Sequence, residues 1–182
     1  MKKDKRNIII FIVVLCIGIW INNSSLLVKQ EGTTPKLLAH RGLAQTFDLE
    51  NVKWDTNTAE IIHKPEHSYL ENTIESMKVA FFFDLFLLLF DVKLTKDNQL
   101  AIFHDFVLEY RTNGEGEVSQ YTMEELKKLD IGYGYTADKG ETYPFRGKGT
   151  GMMPSIEEVF KAFPDKEILI HLKTDDIKTG EV

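Results

Sequence analysis

Cysteine is almost absent from this sequence: Cys16 is the single one among 182 residues. One cysteine excludes an intrachain disulfide and a cysteine-rich zinc site. A surplus of basic charge is also absent, because 22 Lys and Arg residues face 28 Asp and Glu residues and leave a net charge of −6. This acidity excludes a protein that holds nucleic acid through phosphate contacts, so no nucleic-acid partner is expected.

The remaining composition is that of an ordinary globular protein. Hydrophobic residues make up 43% and charged residues 27% of the chain, which excludes a disordered tail. The length leaves room for one domain. The first 28 residues contain four basic residues and one acidic residue, so they carry +3 and the rest of the chain carries −9. The N-terminal segment is therefore basic, whereas the rest of the chain is acidic.

A long hydrophobic run follows the basic N-terminus. The cluster Lys2–Arg6 precedes an apolar run from Ile8 to Ile21, and after four Asn and Ser residues a second apolar patch reaches Val28. The first run suits a signal-peptide core, whereas the whole stretch to Val28 approaches the ~20 residues that span a membrane. No small-x-small cleavage site is evident. We therefore expect an uncleaved signal anchor, residues 1–28, with its basic end in the cytoplasm and the remaining chain outside the cell membrane.

After a polar linker, residues 29–35, the pattern becomes that of an α/β domain over residues 36–182. Four apolar runs predict strands; they are residues 37–39, 85–90, 100–103 and 167–173. The second run is continuous, as in a strand buried on both faces. Three pairs of an N-cap residue and a glutamate predict helix starts; they are Asn72 with Glu75, Thr122 with Glu125 and Ser155 with Glu158. The order predicts a parallel sheet covered by helices.

Reactive side chains follow the apolar runs. His40, Asp91 and His104 each stand directly after one, and Lys173 ends the last. In a (β/α) barrel the carboxyl ends of the strands share one rim, so we expect His40, Asp91 and His104 to face one cavity. Two histidines of the long loop, residues 43–70, lack this context and are expected to be solvated; they are His63 and His67.

Four segments together resemble the glycerophosphodiester phosphodiesterase family. They are Leu38-Ala39-His40-Arg41-Gly42, Leu70-Glu71-Asn72-Thr73, Asp91-Val92-Lys93-Leu94-Thr95-Lys96-Asp97 and Phe103-His104-Asp105. Weaker agreement continues through residues 111–116, 125–127 and 154–159. The resemblance covers about residues 36–175. It is specific because three motifs occur together in this order and spacing: His40-Arg41-Gly42, Glu71-Asn72-Thr73 and His104-Asp105.

This resemblance implies a TIM-barrel enzyme that hydrolyses glycerophosphodiesters to glycerol 3-phosphate and an alcohol with Ca²⁺ or Mg²⁺. It assigns acid–base catalysis to His40 and His104, substrate phosphate binding to Arg41 and Lys173, and metal binding to Glu71 and Asp91. Histidine suits the catalytic role because it titrates near neutral pH. A guanidinium and a metal ion offset charge on phosphoryl oxygens.

Two residues depart from the family pattern. Leu89 stands where the resemblance implies a metal-binding glutamate, and His171 stands where it implies the glutamate of a Glu-x-Lys pair. A hard cation needs several oxygen ligands, so the metal site is expected to be weak or absent. An imidazole at position 171 suits a transition metal better. As written, the chain is expected to be a feeble enzyme at best.

The length also departs from the family. A complete eight-stranded barrel takes roughly 250 residues, and about four strands are readable here. We therefore expect a partial barrel behind a transmembrane helix, truncated or completed by self-association or by another chain. The apolar run over residues 81–90 would favour aggregation if exposed. Two functions are considered. The first, which we favour as the family function, is a membrane-anchored, metal-dependent phosphodiesterase acting on glycerophosphodiesters such as deacylated phospholipids or teichoic-acid-like polymers; the alternative is an inactive remnant or phosphodiester-binding module.

Overall fold

The computed structural model describes residues 2–24, 37–50, 52–83 and 87–173. The chain divides into two compact units, Met1–Pro35 and Lys36–Val182. The predicted linker, residues 29–35, and the apolar patch before it lie outside the described residues. The described part of the first unit, residues 2–24, contains one helix, α1, Lys2–Asn23. Its part Lys5–Asn23 is long and apolar enough to cross a membrane.

The second unit contains a four-stranded sheet. Its strands are β1, Leu38–His40, β2, Leu87–Leu94, β3, Leu100–Ile102, and β4, Glu167–Leu172. Strand β2 pairs in parallel with β1 and with β4, which confirms the predicted parallel arrangement for these three strands. Strand β3 instead pairs antiparallel with the end of β2. The reason is the tight turn between them, in which Asn98 adopts a positive φ of 57°.

Strand β2 differs from its prediction in two respects. It continues to Leu94, so Asp91 lies inside the strand and not at its end. Its side chains alternate, as a pleated strand requires: Leu88, Phe90 and Val92 are completely buried in a core. The opposite face presents half-buried Leu89 and the buried Asp91 side chain, so the continuous apolar run does not produce two equivalent buried faces.

Three helices pack beside the sheet and its loops. They are α2, Ile74–Phe82, α3, Met123–Leu126, and α4, Ile156–Ala162. The capping boxes of α3 and α4 are confirmed, but the N-cap of α2 is Thr73 and not Asn72. Asn72 has a left-handed backbone, with φ 59°, because its amide donates to the Arg41 carbonyl before the helix begins. Helix α3 is shorter than predicted, since the chain to Leu129 continues with i→i−3 bonds.

The second unit has two hydrophobic clusters. One lies between the sheet and the helices α2 and α4; it contains Ala39, Met77, Ala80, Leu88, Phe90, Val92, Leu100, Ile102, Val159 and Phe163. The other lies within the loops and α3; its largest buried side chains include Tyr135, Leu70, Leu108, Leu126 and Met153. Strand β4 is mostly exposed, and within the described residues its apolar side chains Leu169, Ile170 and Leu172 are only partly covered.

Asp130 organises the glycine-rich segment, residues 132–151. Its buried carboxylate accepts hydrogen bonds from the backbone amides of Gly132, Gly147 and Gly149, at 3.0, 2.5 and 2.9 Å. A Cβ atom at Gly149 would lie 2.5 Å from the Gly132 nitrogen, so the close approach of these two segments requires glycine. One carboxylate therefore closes a loop of about twenty residues.

Replacing Asp130 by alanine should lower the free energy of unfolding by about 3 kcal/mol, because three backbone amides lose their acceptor and two of them, at Gly132 and Gly149, are buried. Thermal unfolding of the full chain in detergent, followed by near-UV circular dichroism, measures the effect. Asp138→Ala is the matched control, since Asp138 also caps a loop, through Thr136 and Thr142, but at a partly exposed position. Equal destabilisation by both variants would contradict the role given to Asp130.

Candidate functional site

The end of β1 places His40 and Arg41 over the sheet. The Arg41 amide donates to the Leu89 carbonyl at 2.7 Å, and the Arg41 carbonyl accepts from Asn72 at 2.8 Å. These bonds hold Arg41 in a left-handed conformation, with φ 65°. Gly42 follows with φ 77°, and a Cβ atom there would lie 2.5 Å from Ser76 Oγ. The His-Arg-Gly sequence thus forms a tight, locally strained turn, as often occurs at functional sites.

Strand register brings the next residues beside His40. His40 pairs with Leu89 across β1 and β2, and Asp91 pairs with His171 across β2 and β4. Because alternate residues of a strand share a face, these four side chains lie on the same face of the sheet. His171 Nδ1 lies 2.8 Å from Asp91 Oδ1, while His40 Nε2 lies 3.7 Å from Asp91 Oδ2.

Asp91 is the centre of this face. Its side chain is buried, and Oδ2 has no hydrogen-bond partner among the described residues. Arg41 Nε lies 3.7 Å from Oδ2, and Lys173 Nζ lies 3.9 Å from Oδ1. The predicted site residue Lys173 thus reaches the site. Four nitrogen-bearing side chains surround one carboxylate.

Glu71 lies between two arginines. Its Oε1 accepts from Arg41 Nη1 at 2.9 Å, and its Oε2 lies 3.3 Å from Arg111 Nη1. Glu71 and Arg111 are both buried. Glu71 therefore orients the phosphate-binding candidate Arg41, and both of its oxygens are occupied by cations.

His104 is held by a second buried carboxylate. Its Nδ1 lies 2.9 Å from Asp105 Oδ1, and Asp105 Oδ2 accepts from Arg111 Nε at 2.5 Å. Asp105 fixes Nδ1 of the ring, which leaves Nε2 as the nitrogen able to exchange a proton with a ligand. The rings of His40 and His104 have centroids 6.5 Å apart. His40, Asp91 and His104 thus converge, as predicted.

Burial and charge shift three of these groups. Partial burial and the adjacent Arg41 lower the pKa of His40 below its usual 6.5, although Asp91 opposes the shift. Burial alone would raise the pKa of Asp105, but Arg111 and His104 lower it to about 2. Burial would likewise lower the pKa of Arg111, but Glu71 and Asp105 raise it above its ordinary value. His40 is therefore neutral near pH 7, and the Arg111–Asp105 pair is charged.

The donor set does not fit a hard divalent cation. Ca²⁺ takes six to eight oxygen ligands, and Mg²⁺ requires a near-octahedral shell. Glu71 and Asp105 have their oxygens paired with arginine or histidine, and among the described residues the buried side-chain oxygens without a hydrogen bond are Asp91 Oδ2 and Asn72 Oδ1, too few for either shell. No group of three or more His, Cys, Asp or Glu side chains arranged for a metal occurs in the part of the chain that the structure describes. The metal-binding roles expected for Glu71 and Asp91 find no support in this geometry.

Sequence reasoning missed Arg111 and Asp105 as members of the site. Arg111 lies seven residues after His104, inside a segment whose resemblance to the family gave no role for it. The available signal was a carboxylate, Asp105, directly after the histidine that follows the apolar run, and an arginine, Arg111, six residues later. The solvated assignment fits exposed His63, whereas His67 is half-buried and binds Gln45 in the loop.

Asp105 should make the protein acid-sensitive. Its folded pKa of about 2 lies below the ordinary 3.8, so its stabilising contribution is present above about pH 4 and is lost as the pH falls towards 2. The shift corresponds to about 2 kcal/mol. Melting temperatures between pH 6 and 2.5 should therefore fall less steeply for Asp105→Asn than for the wild type. Asp165→Asn, at an exposed carboxylate, should keep the wild-type slope, and an unchanged slope for Asp105→Asn would contradict the assignment.

Solved structures with a similar fold are phosphodiesterases. The glycerophosphoryl diester phosphodiesterase domain of an uncharacterized protein from Mycobacterium tuberculosis has a TM-score of 0.56 and 22% identity, covering 76% of this chain and 44% of that one. A glycerophosphodiester phosphodiesterase from Thermotoga maritima has a TM-score of 0.53 and 22% identity, covering 82% and 48%. These likenesses support a TIM-barrel-like α/β fold for the second unit, of which about four strands are described.

Curated relatives agree in name. The chain is 39% identical over 112 residues to a glycerophosphodiester phosphodiesterase of Caldanaerobacter subterraneus, covering 62% of this chain and 41% of the relative. It is 38% identical over 103 residues to one of Bacillus subtilis, covering 54% and 32%. The chain thus spans less than half the length of either relative.

The model of the glycerophosphoryl diester phosphodiesterase family matches residues 40–180. This match includes the turn that holds Arg41, the buried network around Glu71 and the two facing histidines. The chain belongs to the glycerophosphoryl diester phosphodiesterase family.

Proposed function

We propose that this chain hydrolyses a glycerophosphodiester to glycerol 3-phosphate and an alcohol. The observation that carries the proposal is the convergence of His40 and His104, with ring centroids 6.5 Å apart, beside Arg41 and Lys173. Acid–base catalysis of a P–O cleavage needs two proton-exchanging groups beside a cationic phosphate site. This geometry provides both.

In the proposed reaction, water cleaves the P–O bond that joins phosphorus to the leaving alcohol. The oxygen of water forms the new bond to phosphorus, and one of its protons passes to His40 Nε2. The lowered pKa of His40 favours the neutral ring that this step needs. His104 Nε2 supplies a proton to the leaving alkoxide, while Asp105 holds the ring. Arg41 offsets charge on the phosphoryl oxygens.

The proposal extends to location. We infer that α1 anchors the chain in a membrane, with the cluster Lys2–Arg6 in the cytoplasm and the second unit outside. An apolar helix with no buried residue in its candidate membrane span supports this, as does the basic cluster before it. The substrate class that we propose for an enzyme at a membrane is the deacylated phospholipids, which are glycerophosphodiesters.

Replacing either catalytic histidine should abolish most of the hydrolysis. The full chain in detergent is incubated with glycerophosphocholine and glycerophosphoethanolamine, and glycerol 3-phosphate release is followed by phosphorus NMR. His40→Gln and His104→Gln should each lower kcat by at least about 10²-fold, the usual contribution of a general acid or base.

The matched control is His63→Gln, an exposed loop histidine whose hydrogen-bond partner is Thr46. Its rate should stay within about twofold of the wild type, as expected for a surface change away from the proton transfer. The proposal fails if the wild type releases no glycerol 3-phosphate with or without added Ca²⁺ and Mg²⁺. It also fails if His40→Gln hydrolyses both substrates at the wild-type rate.

The anchor has its own test. A protease added to intact cells should digest the second unit, because the basic cluster keeps the N-terminus inside. An epitope tag after Val182 reports digestion, and a cytoplasmic marker protein verifies that the cells are intact. A tag that disappears only after lysis would place the second unit in the cytoplasm.

A further inference from the structure

On the face around Asp91, the two positions where the family resemblance implies glutamates hold Leu89 and His171. Leu89, between His40 and Asp91 on this face, offers no donor atom, and His171 directs Nδ1 at Asp91 Oδ1 from 2.8 Å. If Asp91 is ionised, this nitrogen is the donor of that bond. His171 thus occupies Oδ1 of Asp91 and leaves this carboxylate with Oδ2 as its one oxygen without a hydrogen bond among the described residues, whereas a hard cation needs six or more ligands.

The charge of the site supports the same conclusion. Three cationic side chains, Arg41, Arg111 and Lys173, stand against three carboxylates, Glu71, Asp91 and Asp105. Each carboxylate lies within ion-pair distance of at least one of these cations, so the carboxylates are already compensated by protein groups. A dication would add two positive charges to a partly buried site whose carboxylates are already paired, which is costly.

We propose that this site binds a phosphate ester through its own cations, Arg41 and Lys173, and without a divalent metal ion. Arg41 provides planar donors oriented by Glu71, and Lys173 provides an ammonium group 3.9 Å from Asp91. The inference deepens the proposed function, since the ligand is the product or substrate of the same reaction. It differs from that function because hydrolysis could still require an added metal.

Calorimetric titration of the full chain in detergent with sn-glycerol 3-phosphate tests the inference. The titration is done in EDTA and again with millimolar Ca²⁺ or Mg²⁺. We expect the same Kd within about threefold in all three conditions. A Kd at least tenfold lower with either metal, or binding seen only with metal, would overturn the inference while leaving the proposed hydrolysis intact. Absence of binding in all conditions would overturn it as well.

Variants locate the binding. Lys173→Met should raise the Kd in EDTA at least tenfold, because an ammonium group near the phosphate is lost. Lys161→Met, at an exposed lysine of α4, is the matched control and should leave the Kd unchanged. Equal Kd values for Lys173→Met and the wild type would contradict the role of Lys173.

The reciprocal variant restores carboxylates. Leu89→Glu with His171→Glu places two carboxylates beside Asp91 on one face. This double variant should bind glycerol 3-phosphate at least tenfold more tightly with Ca²⁺ or Mg²⁺ than in EDTA, and any hydrolysis should become metal-dependent. Folding is verified by near-UV circular dichroism. A folded double variant with the metal-independent Kd of the wild type would show that these two positions do not decide metal use, and the inference would fall.

Discussion

The buried Arg111 guanidinium is the group on which the site depends. It binds Glu71 with Nη1 and Asp105 with Nε, and its Nη2 donates to Thr58 at 2.7 Å. Buried charges are tolerated only when they are paired and hydrogen-bonded, so the positions of these segments are mutually constrained. Through Glu71 the constraint reaches Arg41, and through Asp105 it reaches His104. Arg111, from a loop, thus orients Arg41 and His104, which follow two different strands.

Local signals in the sequence were enough to predict the elements around the site. His40 and His104 follow apolar runs, and each is placed where its strand ends. The capping boxes at Thr122 and Ser155 are confirmed because a cap depends on residues three apart, which share one turn of helix. The rule that parallel strands present their carboxyl ends together predicted that the two histidines and Asp91 converge. In the structure this parallel pairing accounts for His40 beside Asp91, whereas His104 arrives there because the antiparallel β3 runs back along β2.

Long-range pairing could not be predicted in this way. The roles of Arg111 and Asp130 come from acceptors and donors distant in the chain, such as Glu71 and Gly149, and spacing alone does not indicate such contacts. The shift of the α2 cap from Asn72 to Thr73 has the same origin, since a bond to Arg41, 31 residues earlier, holds Asn72 outside the helix. The antiparallel pairing of β3 is local by contrast, since only the short turn at Asn98 separates β3 from β2. It was missed because the order of elements as a whole predicted a parallel sheet.

The two departures from the family pattern make physical sense only together. Leu89 and His171 are 82 positions apart in the sequence, yet both lie next to Asp91 on the same face of the sheet: Leu89 two residues earlier on β2, and His171 opposite Asp91 on β4. A glutamate at 171 would face Asp91 at hydrogen-bond distance, and two carboxylates so close are stable only with a shared proton or a cation between them. A glutamate at 89 would add a third negative charge to that face. With leucine and histidine, the repulsion is removed and Asp91 gains a donor, so the site is electrostatically balanced by its own side chains.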